Sequence, residues 1–402
     1  RRAATAARRV ASAQGRSVML PAMEAGMLSG VRVVELARVL AGPYCTQLLA
    51  DLGADVVKVE HPSGGDETRS WGPPFADDGE SAYFLSVNRG KRSVALDLKD
   101  ARDRAAAVEL CARADVVVEN FRAGTAERLG LGYDALAQRN PGLVYCSVTG
   151  FGSDREPPDR PGYDFVAQAE SGLMAITGPP DGEPSKVGVA LVDVLAGLNA
   201  AAGILAALHE RQRTGRGRRL EVSLVDSALT ALVNVAAGAL VTGEEPRRYG
   251  NAHPSVVPYQ PFRAADGWVA VAAANDGLWR RLCEAIDRPD LAADERFATN
   301  PGRVRHRDAL IPELERTFST RTADEWVALL DAAGVPAGKV RGVADALRAV
   351  AEAGRAATVS VEGVETVLQP LLVDGRTVAA SRRPPRLGEH TEAVLRELGI
   401  ER

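Results

Sequence analysis

Short runs of β-branched residues alternate with helical stretches through the first half of this chain, and this alternation restricts its fold more than any other feature. Five such runs have the length and composition of buried strands: 31–36, 55–61, 93–98, 115–120 and 143–150. The stretches between them, such as PYCTQLLADLGA and ARDRAAAVELCARA, have helical spacing or helix-forming composition. This alternation indicates a parallel sheet covered by helices, so we predict an α/β fold with a large Rossmann-like domain.

The pattern changes after residue 222, which predicts a second domain. The strand-like run RLEVSL precedes the most apolar stretch, 224–241, which we predict to be one buried helix. Residues 245–340 then combine a proline-containing loop, the strand WVAVAAAN and three amphipathic helices, as in a smaller α+β domain. The predicted division is a disordered extension (1–28), a large domain (29–222), a linker helix with a small domain (223–340) and a C-terminal return to the large domain (341–402).

Composition excludes several classes of function. The 402 residues carry a net charge of −4 without a long basic face, which argues against a nucleic-acid partner, and no stretch is a credible membrane span. Four widely spaced cysteines without a CxxC pair are typical of free thiols in a reducing compartment, so we expect a cytoplasmic protein. The arginine- and alanine-rich first 28 residues resemble a transit peptide, which leaves the mitochondrial matrix as the alternative.

One aspartate lies in an otherwise uncharged run. Asp193 is the only ionisable side chain between Lys186 and His209. An unpaired carboxylate is costly to bury, so such a residue has a structural or a chemical reason to be there. The run VGVAL before it predicts a short buried strand and the alanine-rich run after it a helix, which puts Asp193 at the helix N-cap. The local pattern is compatible with both capping and catalysis.

Motifs for cofactors and metals are missing from the sequence. It contains no GxGxxG fingerprint, no Walker sequence and no GxSxG nucleophile elbow. The five histidines are scattered, and none pairs with another at the spacing of metal ligands. We therefore expect neither a redox cofactor nor a metal.

Six blocks, in this order, carry a resemblance to a known family: RVLAGPYCTQLLADLGADVVKVEHPSGGDETRSWGPPF, NRGKRSVALDLKD, DVVVENFRAG, RPGYDFVAQAESGLM, TGRG and PRLGEHTEAVLRELG. They resemble the family III CoA-transferases from about residue 29 to the C-terminus, and most of all the succinate–hydroxymethylglutarate branch of that family. The resemblance implies an enzyme that moves CoA from an acyl-CoA, such as succinyl-CoA, to a free carboxylic acid. It also implies an interlocked homodimer that uses CoA as a substrate rather than as a resident cofactor.

The resemblance also assigns roles to residues. In these transferases the catalytic aspartate ends a G-x-x-x-x-D stretch, which here is GVALVD and ends at Asp193. This carboxylate would attack the thioester, giving an acyl anhydride and then an aspartyl-CoA thioester. The positions that match substrate contacts in the family are Val39, Leu40, Ala41, His61, Leu96, Asp97, Leu98, Lys99, Asn120, Phe121, Arg122, Arg128, Tyr163 and Asp164. Structural roles are the alternative for several of them, since Leu96 and Leu98 fit strand core positions and Arg128 fits a surface charge.

The same family contains α-methylacyl-CoA racemases, which need a second acid–base group opposite the aspartate. In the racemases that group is the histidine of a G-H-D stretch, and the matching stretch here is Gly162-Tyr163-Asp164. A tyrosine, with a usual pKa of about 10, is a poor proton shuttle at neutral pH. We therefore favour a transferase and keep an acyl-CoA racemase or isomerase as the alternative. A CoA-binding protein without turnover would not need a carboxylate at position 193.

Overall fold

The computed structural model of the protein describes residues 26–400 except 156, 158 and 159, so most of the predicted extension 1–28 lies outside the described residues. The described chain divides into two compact units. The first contains its residues up to Leu173, together with Val187–Thr242 and the residues from Leu347 onwards. The second contains Met174–Lys186 and Gly243–Ala346, so residues 174–186 cluster with the smaller unit rather than with the large domain to which the sequence division assigned them.

Six parallel strands form the sheet of the first unit. Their order is β3–β2–β1–β4–β5–β6, which is that of a doubly wound α/β fold. The strands are β1 (Arg32–Glu35), β2 (Asp55–Glu60), β3 (Lys91–Ala95), β4 (Val116–Glu119), β5 (Val144–Thr149) and β6 (Arg219–Ser223). The five strands predicted before residue 150 and the strand predicted in RLEVSL are confirmed, and so is the α/β class. The interlocked dimer stays a prediction.

Both faces of this sheet are buried, because successive strand residues point to opposite sides. Val33 belongs to the apolar core on one face and its neighbour Val34 to the core on the other. The helices of this part of the chain are α1 (Ala41–Asp51), α2 (Ala82–Ser86), α3 (Ala101–Ala112), α4 (Thr125–Arg128), α5 (Tyr133–Arg139), α6 (Asp164–Glu170), α7 (Leu173–Ile176), α8 (Leu191–Thr214), α9 (Leu224–Ala231) and α10 (Val233–Thr242). The first core contains α1 and α8, and the second contains α3.

Two of the predicted secondary-structure elements are wrong. The run VGVAL forms no strand; it is an irregular, partly exposed segment that leads into α8. The stretch 224–241 forms two helices that meet at 78° rather than one buried helix. Its second half, α10, exposes Leu240 by 87% and Val241 by 85%. By length and composition alone α8 could span a membrane, but its Val192, Ala196 and Ile204 pack in the core, as in a core helix of a globular domain.

The second unit has its own apolar core beneath a three-stranded antiparallel sheet. Its strands are β7 (Tyr259–Arg263), β8 (Trp268–Ala272) and β9 (Ala337–Lys339). Stacked Phe262 and Phe318 lie beside buried Trp326 in this core. The remaining helices up to residue 352 are α11 (Asp276–Ala285), α12 (Pro289–Ala293), α13 (Asn300–Arg305), α14 (Arg307–Phe318), α15 (Ala323–Ala332) and α16 (Val343–Glu352).

The C-terminal tail packs within the first unit. It contains two small hairpins and a last helix: β10 (Thr358–Val361), β11 (Val364–Val367), β12 (Leu372–Val373), β13 (Arg376–Thr377) and α17 (Thr391–Glu397). Thr391 Oγ1 accepts a hydrogen bond from the Ala95 amide at 2.9 Å, and Val394 and Leu395 join the core that contains α3. These contacts tie the end of the chain to edge strand β3.

Candidate active site

A cavity of about 480 Å³ lies in the first unit at the carboxyl ends of β1, β4 and β5. The strand order reverses between β1 and β4, and ligands of open α/β sheets bind at this kind of switch point. Its lining consists of Arg38–Ala41, Glu67, Glu119–Glu127, Ser147–Ser153, Arg160–Tyr163, Asp193, Arg219, Glu221 and Leu224. Among the predicted site residues, the cavity unites Val39, Leu40, Ala41, Asn120, Phe121, Arg122, Tyr163 and Asp193.

Asp193 is the third residue of α8, and its side chain borders the cavity while the residue is only 8% exposed. Within the described residues no group donates a hydrogen bond to its carboxylate. Burial, and next the negative charge of Asp164, raise the pKa of Asp193 from 3.8 to about 7. A buried carboxyl of this kind in a cleft is a candidate for chemistry rather than for structural pairing.

Asp164, the first residue of α6, has the capping role that the sequence predicted for Asp193. Its Oδ1 accepts hydrogen bonds from the amides of Val192 at 2.7 Å and Asp193 at 3.2 Å. The prediction that Asp193 is the N-cap is therefore wrong, because α8 begins at Leu191 and the N-cap position is Ala190, whose side chain makes no capping bond. The first amides of α8 are satisfied by a carboxylate from another helix, so they do not stabilise the anionic form of Asp193 directly.

Gln168 holds this cap in place. Its Nε2 donates to Asp164 Oδ2 at 2.6 Å, and its Oε1 accepts from the Val187 amide at 2.8 Å. Gln168 is fully buried. One amide side chain therefore fixes both the capping carboxylate and the segment that leads into the helix of Asp193.

The loop Arg38–Ala41 forms the wall of the cavity at the N-terminus of α1. Its backbone is tied to the end of β4, since the Arg38 amide donates to Asn120 Oδ1 at 3.0 Å and Asn120 Nδ2 donates back to the Arg38 carbonyl at 2.8 Å. The helices that carry the loop and Asp193 approach closely at Gly197, where an added Cβ would lie 2.8 Å from the Ala41 carbonyl oxygen. The two hydrogen bonds between Asn120 and the Arg38 backbone therefore position the loop that forms the cavity wall.

Seven of the predicted residues lie outside the cavity lining. His61 and Asp97 face each other across β2 and β3, with His61 Nε2 3.6 Å from Asp97 Oδ1, and Lys99 is exposed beside them. Leu96 is buried in the core and Leu98 packs against it, which agrees with the structural alternative for both. The Arg128 guanidinium donates to its own helix, to the Gly124 carbonyl and Thr125 Oγ1. Asp164, the remaining predicted residue outside the lining, acts through the cap described above.

Sequence reasoning missed several polar residues of the cavity. Glu119 ends β4, and burial is the main cause that raises its pKa. Arg160, Arg219 and Glu221 also line the cavity, with the Arg160 guanidinium 4.0 Å from the ring of Phe151. Position at the end of a predicted strand could have identified Glu119, since ligand residues cluster at strand ends. Arg219 and Glu221 on β6, and Arg160 in a loop, have no comparable local sequence signal that would mark them as ligand residues.

Other kinds of reactive site find little support in the described part of the chain. No group of three or more His, Cys, Asp or Glu residues there could hold a metal ion. Cys45, Cys111, Cys146 and Cys283 are free and buried, and desolvation raises the pKa of each thiol, which disfavours the reactive thiolate. The arrangement that remains is a buried, basic carboxylate facing a cavity with several arginines. It suits nucleophilic attack on an anionic substrate.

Known proteins resemble this chain over most of its length. Residues 28–391 match the family described as CoA-transferase family III. The chain is 42% identical to a succinate–glutarate CoA-transferase of Agrobacterium fabrum, covering 92% of this chain and 95% of that protein. It is also 42% identical to a succinyl-CoA:mesaconate CoA-transferase of Haloarcula hispanica, covering 93% and 97%. A crystal structure of a CaiB/BaiF family protein from Brucella suis superposes with a TM-score of 0.85 at 42% identity, covering 93% of this chain and 100% of that one.

Proposed function

Because this chain belongs to family III of the CoA-transferases, we propose that it moves CoA from succinyl-CoA, or a similar dicarboxylyl-CoA, to another free dicarboxylic acid, with Asp193 as the nucleophile. The observation that carries the proposal is the setting of this carboxylate. It is buried, it borders the cavity, and no described residue donates a hydrogen bond to it. Donor and acceptor are taken from relatives that act on succinate, glutarate and mesaconate.

The reaction needs Asp193 as an anion and transfers no proton overall. Its carboxylate attacks the thioester carbonyl, a mixed anhydride forms and the CoA thiolate leaves. The thiolate then attacks the aspartyl carbonyl of the anhydride, which releases the donor acid and forms an aspartyl-CoA thioester. The acceptor carboxylate attacks this thioester and releases the thiolate again, and attack of the thiolate on the acceptor acyl group yields the new acyl-CoA and regenerates Asp193.

Two features of the site support this sequence of steps. The raised pKa of Asp193, about 7, makes its anion a more basic nucleophile than an ordinary carboxylate, while leaving about half of it ionised near neutral pH. The amides of Leu40 and Ala41, which helix geometry leaves without intrahelical acceptors at the start of α1, belong to residues of the cavity wall. In this proposal these amides stabilise a tetrahedral oxyanion, and Arg38 and Arg122 attract the phosphates of CoA.

We also propose that the enzyme is a cytoplasmic homodimer. Val233, Leu240 and Val241 of α10 leave a strongly exposed apolar surface, as a face covered by a second copy would. The four buried free cysteines suit a reducing compartment.

Trapping tests the nucleophile. The enzyme is incubated with succinyl-CoA and quenched with hydroxylamine, and the peptide containing Asp193 is analysed by mass spectrometry. A hydroxamate on Asp193 supports the covalent intermediates, and the Asp193→Asn variant should give neither hydroxamate nor transfer. If Asp193 stayed unmodified in an enzyme that still transfers CoA, its assignment as the nucleophile would be wrong.

An acyl-CoA racemase remains the second candidate. It would need an acid–base partner for Asp193, and among the described residues the cavity lining includes Tyr163 but no histidine. The experiment is exchange of the α-proton of a 2-methylacyl-CoA in deuterated water without any acceptor acid. We expect no exchange above the uncatalysed rate. Exchange that depends on both Asp193 and Tyr163 would favour the racemase.

A further inference from the structure

The cavity wall contains a valine in an unfavourable backbone conformation. Val39 has a φ of 72°, in the left-handed region, where a β-branched side chain is a genuine outlier. It lies between β1 and α1, directly before Leu40 at the N-cap of α1, in the loop Arg38–Ala41 that lines the cavity. Such a conformation persists only where the surrounding structure holds it.

A buried carboxylate from a different segment holds this residue. Both oxygens of Asp66 accept from the Val39 amide, at 3.3 and 3.2 Å. Asp66 is 1% exposed, and its Oδ1 also accepts from the Thr68 amide at 3.0 Å and from Thr68 Oγ1 at 2.8 Å. The Val39 amide, the Thr68 amide and the Thr68 hydroxyl all donate to this carboxylate, so an ionised aspartate fits and a carboxamide does not.

Lys58 connects the Asp66 carboxylate to β1, the strand that precedes the loop Arg38–Ala41. Its fully buried Nζ lies 2.9 Å from Asp66 Oδ2 and 2.7 Å from Glu35 Oε1, and it donates to the Ala37 carbonyl at 2.9 Å. Burial alone would raise the pKa of Asp66, but the Lys58 charge and the bonds from Thr68 outweigh it and lower the pKa to about 2. The ammonium group therefore fixes both Asp66 and the backbone that enters the loop.

The segment that carries Asp66 is itself tightly held. Glu60 Oε2 accepts from the Asp66 amide at 3.0 Å and from Arg69 Nε at 2.8 Å. Gly65, which directly precedes Asp66, has no room for a side chain, because an added Cβ would lie 2.7 Å from Glu60 Oε2. Asp66 thus acts from a rigid support.

We propose that Asp66 is a positioning residue for acyl-CoA: by holding the Val39 amide, it keeps the loop Arg38–Ala41 in the conformation that shapes the cavity wall. The inference rests on the proposed function, since it takes this cavity as the CoA site. Its consequence is specific. The contribution of Asp66 to CoA binding should depend on residue 39 having a side chain, because glycine adopts the left-handed conformation without strain.

A double-mutant cycle on the full chain tests this dependence. The dissociation constant of CoA is measured by calorimetry for the parent, Asp66→Asn, Val39→Gly and the double variant. Asp66→Asn turns an NH₂ group towards a donor, and we expect it to raise the dissociation constant about tenfold, or ~1.4 kcal/mol. In the Val39→Gly background the same change should raise it less than about twofold.

The other outcomes separate the two claims. An equal rise in both backgrounds, or no rise in either, overturns the positioning role of Asp66. Failure of the parent to bind CoA contradicts the proposed function, and this inference with it. Asp77→Asn, the same change at an exposed aspartate further along the segment, is the matched control and should leave the constant unchanged. If Asp66→Asn does not fold, Thr68→Val replaces it in the cycle, because it removes one of the two bonds that Thr68 donates to Asp66.

Discussion

Replacing Asp193 by asparagine should stabilise the ligand-free protein, and more so at alkaline than at acidic pH. The folded chain buries this carboxylate beside Asp164 without a described hydrogen-bond donor, so its ionisation opposes folding. Asparagine has nearly the same shape but no charge. Any cost of burying its amide is the same at every pH, which makes the pH dependence the diagnostic quantity.

The size of the effect follows from the pKa. The carboxyl rises from 3.8 to about 7 on folding, so the folded state binds the proton more tightly than the unfolded state. The destabilisation is absent below the unfolded pKa, grows as pH rises through the interval between the two values, and is complete above the folded pKa. From pH 5 to pH 8 it grows by roughly 2–3 kcal/mol, since each pKa unit corresponds to about 1.36 kcal/mol.

Thermal unfolding of both proteins at pH 5 and pH 8, without CoA, measures this term. At roughly 1.2 °C per kcal/mol for a chain of 402 residues, the Tm of Asp193→Asn relative to the parent should be about 2–4 °C higher at pH 8 than at pH 5. Asp77→Asn, at an exposed position, should show the same relative Tm at both pH values. A relative Tm of Asp193→Asn that is equal at the two pH values, or lower at pH 8, would refute the assignment of a raised pKa to this residue.

Three further predictions concern the same unit. Asp164→Asn keeps an oxygen for the cap of α8 but removes the charge beside Asp193, so the acidic limb of kcat/KM against pH should move to lower pH; an unmoved limb would contradict the coupling. Gly197→Ala would place a methyl group 2.8 Å from a carbonyl oxygen of α1 and should lower Tm and raise KM for the acyl-CoA, whereas Gly203→Ala on the same helix meets only ordinary contact and should be neutral or stabilising. Leu240→Asp should shift the protein to the monomer in sedimentation experiments, and an unaltered dimer would exclude α10 from the interface.

The sheet could be predicted from the sequence because its signal is local. Each strand is a short run of β-branched residues, and helices cover both faces, so the runs stand out against the helical stretches between them. The same reasoning failed for VGVAL, which has a strand-like composition but finds no partner strand and remains partly exposed. It also failed at 224–241, where the chain turns at Val233, with a φ of 40°, and no glycine or proline marks the bend.

The support of the site could not be predicted, because it is built from contacts distant in sequence. The carboxylate that caps the helix of Asp193 belongs to Asp164, 29 residues before Asp193. The carboxylate that holds the Val39 amide belongs to Asp66, 27 residues after Val39. Lys58 and Glu35 lie inside runs that composition identifies only as buried strands, and their pairing became visible only when the strands were adjacent. Local patterns identify elements, whereas the chemistry of a buried charge depends on what other elements bring to it.

The position of Asp193 in α8 explains how one helix end can serve both structure and chemistry. A carboxylate that caps a helix accepts bonds from its amides and has a lowered pKa, which would make it a weak nucleophile. Here Asp164 accepts the bonds from the helix amides. Asp193 is the third residue of the helix, and its carboxylate lies near the Asp164 charge but accepts none of these bonds. The two carboxylates thereby have different environments: Asp164 is hydrogen-bonded, whereas no described residue donates to Asp193. Such a difference is a common way to assign different tasks to similar groups. If position 193 capped the helix instead, the fold would be more stable, and the basic anion needed for the proposed attack on a thioester would be lost.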